Sequence, residues 1–322
     1  MAAERPPLNE GIVRPAPLVT AAITTFRRPH ILAGALKSAL RQTYRNIEVI
    51  VVDDFSQDET EAVVAEAGNG RARYIRHYSN RGLGASRNTA LDAASGMYIA
   101  YLDDDDEWLP EKVEKQVSVA EGVAPDCAVV YCGGRIAARD GRILSTSLPA
   151  FRGPIQDFVA SGRLSTIPST PLFRTDLLRR VGGYDATLPS HLDHDVWMSM
   201  ALAGLRADYV NEPLVTVGAP TGRRMTSDTE ARWKATAMYF KKWRPHLVEW
   251  MGEKGAARYE TAYFMRVMGA AGRDALRSGR YRNGIGALAR VVRRWPARPE
   301  AYITGGRAIA GAVYDLRPAR RG

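Results

Sequence analysis

A chain of 322 residues with 45% hydrophobic and 25% charged side chains holds enough apolar material for one large or two modest cores, which excludes a disordered or fibrous protein. Its two cysteines, Cys127 and Cys132, stand five apart in DCAVVYC, which suits neither a disulfide framework nor a zinc site; no apolar run is long enough for a membrane span or a signal-peptide core, so a cytoplasmic location is expected. The net charge of +10 is uneven, because from Ala256 onward fourteen arginines face four acids while the preceding residues are close to neutral.

Residues 1–16 are proline-rich and aperiodic and read as a flexible lead. Leu18–Thr25 is a strand candidate, followed by a helix with Pro29 in its first turn and Leu32, Leu36 and Leu40 at four-residue spacing. Ile47–Val52 is a β-branched strand that ends in Asp53-Asp54. Ser56 with Glu59 has the spacing of a capping box for a helix reaching about Ala67. Tyr74–His77 is a short strand, and Gly82, Gly84 and Asn88 surround the start of a helix over Ala85–Ala94. Met97–Leu102 is almost wholly apolar, as expected of a strand covered on both faces, and runs straight into Asp103, Asp104, Asp105 and Asp106.

Strand and helix alternate to about residue 121, which predicts an α/β fold with parallel βαβ units. Ligands of such sheets collect outside the carboxyl ends of the strands. Thr24-Thr25, Asp53-Asp54 and the four aspartates all sit at such ends, so three strands aim polar residues at one crevice. Four adjacent carboxylates repel one another unless a cation joins them, and a hard divalent ion with oxygen ligands is the natural partner; a solvated acidic loop is the plainer alternative.

Farther on, Pro110 opens a helix striped by Val113 and Val117, Cys127–Tyr131 is a strand, and Asp140-Gly141 marks a hairpin. Ser169–Arg174 is a strand candidate, Thr175 a helix cap, and Gly182-Gly183 a terminator. A helix over Asp193–Ala203 and a last short strand, Leu214–Val217, precede a loop at 218–228. Beyond it, 229–243, 256–277, 283–294 and 299–316 all have helical patterns. The expected division is therefore a lead (1–16), an α/β domain (17–226) and a helical, arginine-rich region (227–322).

ITTFRRP, QTYRNIEVIVVDDFSQDET, GLGASRNTAL and GMYIAYLDDDDEWLPEKVEKQV, and more faintly LLRRVGGYDATLPSHLDHDVWMSMALAG, resemble the motifs of inverting glycosyltransferase family two, in order and spacing, over roughly residues 17–217. The resemblance implies a GT-A fold (a Rossmann-like mixed sheet, mostly parallel, flanked by helices), a nucleoside-diphosphate-sugar donor, Mn2+ or Mg2+, and inversion at the anomeric carbon. It implies that Asp105 and Asp103 hold the metal and that Asp103 or Asp104 contacts the ribose. Asp54, with Asp53 beside it, falls on the position that bonds the nucleobase, and Thr24 on the one lining the base and ribose pocket. Arg87 is a candidate for the diphosphate, which a guanidinium suits.

Plainer roles stand beside these: Asp53 and Asp54 as turn residues after a strand, and Arg87 as a surface residue of a helix. The family's base is the carboxylate of a Glu-Asp pair opening a helix. Here the pair is Leu192-Asp193, so Asp193 is the expected base and Asp195 its competitor, while a helix amino-terminal aspartate favoured by the dipole is the simpler alternative. His191 and His194 flank it, either as structural residues or as contacts to an acceptor or phosphate. The processive Gln-x-x-Arg-Trp pattern is missing, so a single addition to a glycan, lipid-linked or other acceptor is expected, in polysaccharide or glycoconjugate synthesis.

The arginine-rich helices, with Trp295, Tyr302, Ile303, Ile309, Val313 and Leu316, are compatible with peripheral binding to an anionic membrane, with packing on the catalytic domain, and with self-association. No nucleic-acid motif accompanies the charge, so no nucleic acid is expected. A non-catalytic nucleotide-sugar or glycan-binding protein on the same scaffold is the alternative, and Leu192 is the residue in its favour.

Overall fold

A computed structural model describes residues 15–138, 140–162, 164, 167–218 and 228–297, with 299, 302, 303 and 306. Most of the lead, most of the 218–228 loop, and Ile309, Val313 and Leu316 lie outside these residues. The elements in chain order are β1 (Val19–Thr25), α1 (Pro29–Leu40), β2 (Ile47–Asp53), α2 (Thr60–Gly68), β3 (Ala72–Arg76), α3 (Leu83–Ala93), β4 (Tyr98–Asp103), β5 (Asp106–Trp108), α4 (Lys112–Glu121), β6 (Cys127–Ala137) and β7 (Ile143–Ser147). They continue with β8 (Gly153–Pro154), α5 (Ile155–Ala160), β9 (Leu172–Arg174), α6 (Thr175–Arg180), α7 (Leu192–Leu202), β10 (Arg206–Val217), α8 (Thr229–Arg277) and α9 (Tyr281–Arg294).

One mixed sheet runs β3-β2-β1-β4-β9-β6-β10-β5, with β7 on β6 and β8 on β10. The half β3-β2-β1-β4 is all parallel, as the βαβ alternation requires, and β9 enters antiparallel between β4 and β6. Alternate residues of the central strands feed two cores. Ala21, Ile23, Val49, Val51, Ala100 and Leu102 face α1 and α4, whereas Ala22, Ile50, Val52, Ile99 and Tyr101 face α3 and α5–α9. Covering both faces is what makes these strands uninterrupted apolar runs.

Register fixes where the polar ends fall. Thr24 pairs with Val52 on one side and Asp103 on the other, and Thr25 pairs with Asp53, so three parallel strands end level. The hairpin at Asp140-Gly141 forms as expected, with Ala137 opposite Ile143 and Gly141 at φ 82°.

The capping box does not form. Ser56 Oγ accepts the Arg27 N–H at 2.7 Å and α2 begins at Thr60, whose N–H and hydroxyl are both taken by Asp58. Likewise Thr175 is the first residue of α6, not its cap. Leu214–Val217 is only the end of β10, which starts at Arg206 and is bulged around Val210–Pro213.

The expected helices 229–243 and 256–277 are the arms of α8, folded back at Gly252 (φ 71°, ψ 165°). The arms stack Tyr239 on Tyr263 with ring centroids 5.3 Å apart, and Phe240 on Phe264 at 5.5 Å. Tyr239, Phe240, Trp243, Tyr263 and Phe264 join the core under the sheet, each buried aromatic contributing about 1.5–3 kcal/mol. α9 crosses closely at Gly284, where a Cβ would lie 2.6 Å from Leu276 Cγ. Trp295 packs on Phe264, while Tyr302 and Ile303 are exposed. α9 and Trp295 are thus packed on α8, which itself joins the core under the sheet. No described helix is long and apolar enough to cross a membrane.

Candidate active site

The strand ends bring Thr24, Thr25, Asp53, Asp54 and Asp103–Asp106 to one edge of the sheet, as their positions predict. Asp53 and Asp54 are buried and heavily bonded. Asp53 accepts the Ser56 N–H (2.9 Å) and the Tyr74 hydroxyl (2.6 Å). Asp54 takes the N–H groups of Arg81 and Gly82, both at 2.7 Å, with His77 Nδ1 at 2.8 Å. Both carboxylates therefore shape the loops that wall the crevice, and Asp54 orders the turn leading into α3. Of the four described non-glycine residues with positive φ, Arg27 (54°) and Phe55 (74°) lie two residues beyond the ends of β1 and β2, and His191 (68°) directly precedes α7. Such strain persists where surrounding contacts over-determine the backbone, and it clusters at functional sites.

The aspartate run divides by partner. Asp104 is buried, accepting Thr25 Oγ1 at 2.7 Å and Arg28 Nη1 at 2.6 Å. Arg28 Nη2 reaches Asp105 Oδ2 at 2.8 Å, and the Asp105 side chain is 31% exposed. Asp103 accepts Arg87 Nη2 at 2.9 Å through Oδ1, while its N–H donates to Ser169 Oγ. Asp106 starts β5 and accepts the Ser169 hydroxyl at 2.7 Å.

Arg87 is not the surface residue of a helix. It is 1% exposed, flanked by the rings of Tyr184 and Tyr101, and its other amino group, Nη1, donates to Asp193 Oδ1 at 2.7 Å. One guanidinium therefore joins the strand-end aspartates to the amino-terminal turn of α7, 106 residues away in sequence.

α7 begins at Leu192, which is buried in the core; a Cβ on Gly84 would stand 3.3 Å from its Cδ2. Asp195 points away from the crevice, buried against α8, where it accepts Trp243 Nε1 at 2.7 Å and Lys242 Nζ at 2.8 Å. His191 is also structural, with Nε2 2.9 Å from Thr236 Oγ1 and Nδ1 2.9 Å from the Tyr263 hydroxyl. His194 lies edge-on to Tyr263, its Nδ1 buried without a partner among the described residues.

Charge at the site is unbalanced, with five carboxylates (Asp103–Asp106 and Asp193) against Arg28 and Arg87. Burial pushes Asp104 up to about 6 despite Arg28, and pushes Asp106 up to about 8 with the charges of Asp103 and Asp105 adding to it. Burial raises Asp103 too, against the pull of Arg87. Burial alone would lower the Arg87 pKa, but Asp193 and Asp103 outweigh it and hold the guanidinium charged.

A hard cation fits this donor set. The oxygens are carboxylate, Asp103 and Asp105 are each about 30% exposed, and negative charge is in surplus. Among the described residues no three or more His, Cys, Asp or Glu side chains converge on one ion. Arg28 and Ser169 are site residues that the sequence reading did not single out. FRRP at a strand end was a usable signal for Arg28, whereas Ser169 carries none.

Residues 20–182 match Glycosyl transferase family 2. An uncharacterized glycosyltransferase of Rickettsia bellii (strain RML369-C) is 32% identical over 197 residues, 57% of this chain and 27% of that protein. The Escherichia coli UDP-Glc:alpha-D-GlcNAc-diphosphoundecaprenol beta-1,3-glucosyltransferase WfgD is 38% identical over 102 residues, 32% of this chain and 40% of that protein. The matches to the first relatives thus span between 27% and 58% of those proteins.

Among solved structures, S. aureus TarS 1–349 in complex with UDP-GlcNAc superposes with a TM-score of 0.55 at 17% identity, covering 87% of this chain and 92% of that one. The mannosyltransferase PcManGT from Pyrobaculum calidifontis, in complex with GDP-Man and Mn2+, gives 0.54 at 19% identity, covering 94% and 81%. The fold shared with these transferases is GT-A, and the chain belongs to glycosyl transferase family 2.

Proposed function

We propose that this chain is a metal-dependent, inverting glycosyltransferase that moves one sugar from a nucleoside-diphosphate-sugar donor to a glycan or lipid-linked acceptor in polysaccharide or glycoconjugate synthesis. The observation that carries the proposal is the Arg87 bridge, in which one buried guanidinium holds a strand-end aspartate and the first-turn aspartate of α7. Family membership supports sugar transfer, and the diphosphoundecaprenol acceptor in the name of WfgD supports a lipid-linked acceptor here. The donors in the TarS and PcManGT complexes support a nucleotide sugar.

In the proposed mechanism Thr24, Asp53 and Asp54 form the base and ribose end of the crevice, and Asp103 and Asp104 meet the ribose. Asp105, with Asp103, would hold Mn2+ or Mg2+ together with the donor diphosphate. The bound ion supplies Lewis-acid stabilisation of the charge that builds on the leaving nucleoside diphosphate. Arg87 serves the donor by fixing Asp103, and it serves the base by holding Asp193 through Oδ1. Asp193 then has Oδ2 to receive the proton of the acceptor hydroxyl. As the hydroxyl oxygen bonds to the anomeric carbon, the bond to the diphosphate oxygen breaks on the opposite face, inverting the centre.

Arg282 and Arg293, exposed beside Tyr281 and Ile285 on the outer face of α9, support docking on the anionic inner face of a membrane, where such an acceptor is held.

Thermal-shift screening of nucleotide sugars with and without Mn2+ identifies the donor. With that donor, Asp193→Asn is expected to bind normally and to lose transfer about a hundred- to ten-thousand-fold. Asp105→Ala is expected to abolish Mn2+-dependent donor hydrolysis. Wild-type transfer by Asp193→Asn would mean that the base has been assigned wrongly.

A further inference from the structure

Arg28 occupies the N-cap position of α1, directly before Pro29, and makes no capping bond with its side chain. It splits its fork between two neighbouring carboxylates, Asp104 at 2.6 Å and Asp105 at 2.8 Å. The chain turns through Arg27 at φ 54° to put it there. The two arginines of the site differ in one respect that matters. Arg87 is 1% exposed and enclosed by the rings of Tyr101 and Tyr184, so its guanidinium has no path into solvent by a simple rotation. The Arg28 side chain is 36% exposed and can rotate into solvent, and Asp104 would keep its bond from Thr25. Asp105, the residue proposed above to hold a divalent ion, has Arg28 as its salt-bridge partner among the described residues.

We propose that Arg28 is the resident cation of the aspartate cluster: it occupies Asp104 and Asp105 until a divalent ion displaces it, and then turns its fork to the donor diphosphate. This rests on the proposed cation site at Asp105. Like charges cannot share that carboxylate cheaply, so Arg28 and a divalent ion compete when no nucleotide is bound. A diphosphate offers oxygens to both at once and removes the competition. Cation and donor are therefore expected to bind cooperatively, with a weak cation site before the nucleotide arrives.

The experiment is a Mn2+ titration of the full chain, read from the electron paramagnetic resonance of free Mn2+, without nucleotide and then with UDP or GDP. The wild-type protein should bind Mn2+ weakly alone and more tightly with whichever nucleotide it accepts. Arg28→Met, with folding checked by its melting curve, should bind Mn2+ alone about fivefold more tightly, the scale of a partly exposed ion pair. Its gain from nucleotide should shrink. Arg28→Lys, which keeps the charge but not the fork, should fall between the two and serves alone if the methionine variant does not fold. Unchanged or weaker Mn2+ affinity in these variants overturns the role of Arg28. Asp105→Ala separates the two ideas, since binding that survives it removes the cation site and Arg28's role together. Binding lost in Asp105→Ala but indifferent to Arg28 removes only the latter.

Discussion

Asp193 and Asp195 are two residues apart on α7, yet their surroundings give them opposite work. Asp193 is a quarter exposed at the crevice with one oxygen on Arg87, whereas Asp195 is buried and bolts α7 to α8 through Trp243 and Lys242. Asp195→Ala is therefore expected to lower stability by about 1–3 kcal/mol, seen as a lower melting temperature, because it leaves the indole N–H buried and unpaired. Below that temperature its transfer rate should stay within a few-fold of wild type, the reverse of Asp193→Asn. A dead but fully stable Asp195→Ala would exchange the two roles. The aspartate run was legible in the sequence because its members are adjacent, so their repulsion could be read directly. Its partners were not: Arg28 lies 76 residues from Asp104, and Ser169 lies 63 from Asp106. Arg87 was visible as a site residue, but its burial and its hold on Asp193 depend on how α3 and α7 meet, which no local pattern encodes.

Among the elements, α8 depends most on a single residue. Gly252 adopts φ 71°, ψ 165°, a region essentially confined to glycine, and that one residue reverses the helix so that Tyr239 meets Tyr263. Gly252→Ala should cost about 1–3 kcal/mol in urea unfolding. Gly286→Ala on α9, where an added Cβ meets nothing, should instead gain up to about 1 kcal/mol from helix propensity. Equal effects would mean that the bend does not depend on Gly252. Apolar spacing made both arms readable in sequence and left 244–255 between them unassigned, but it did not show that the helices continue to Gly252 from either side and reverse at that one residue. β10 was misjudged for the opposite reason. Asp208, Asn211, Glu212 and Pro213 disguise its first half, yet they are accommodated because the strand bulges there and Asp208 pairs with Arg152 at 2.6 Å.

At the scale of the whole molecule, the sheet domain and the helical hairpin share one core. The joint between them holds His191 and His194. Burial, with the charges of Arg232 and Arg266 adding to it, pushes their pKa values down to about 2 and 3. Both are thus neutral in the folded state, while in the unfolded chain they protonate near 6.5. Below about pH 6.5 the unfolded state binds more protons, so stability falls with pH, by up to about 1.4 kcal/mol per unit for each histidine. The site aspartates act in the other direction. Asp104 and Asp106, raised to about 6 and about 8 against roughly 4 in the unfolded chain, favour the folded state at low pH and withdraw that support as pH rises through those values. Between about pH 4 and 6.5 the two effects oppose each other, and above that Asp106 dominates. Stability of the metal-free protein should therefore peak at about pH 6, with a shallow acid limb owed to the α7–α8 joint and an alkaline limb, falling until about pH 8, owed to Asp106. Urea unfolding between pH 5 and 9 measures the curve. His191→Gln should remove the rise on the acid limb even if it lowers the whole curve. Asp106→Asn should flatten the alkaline limb and steepen the acid one, because the Asp106 contribution spans about pH 4 to 8. A curve that both substitutions merely shift downward would show that neither limb has the origin assigned to it.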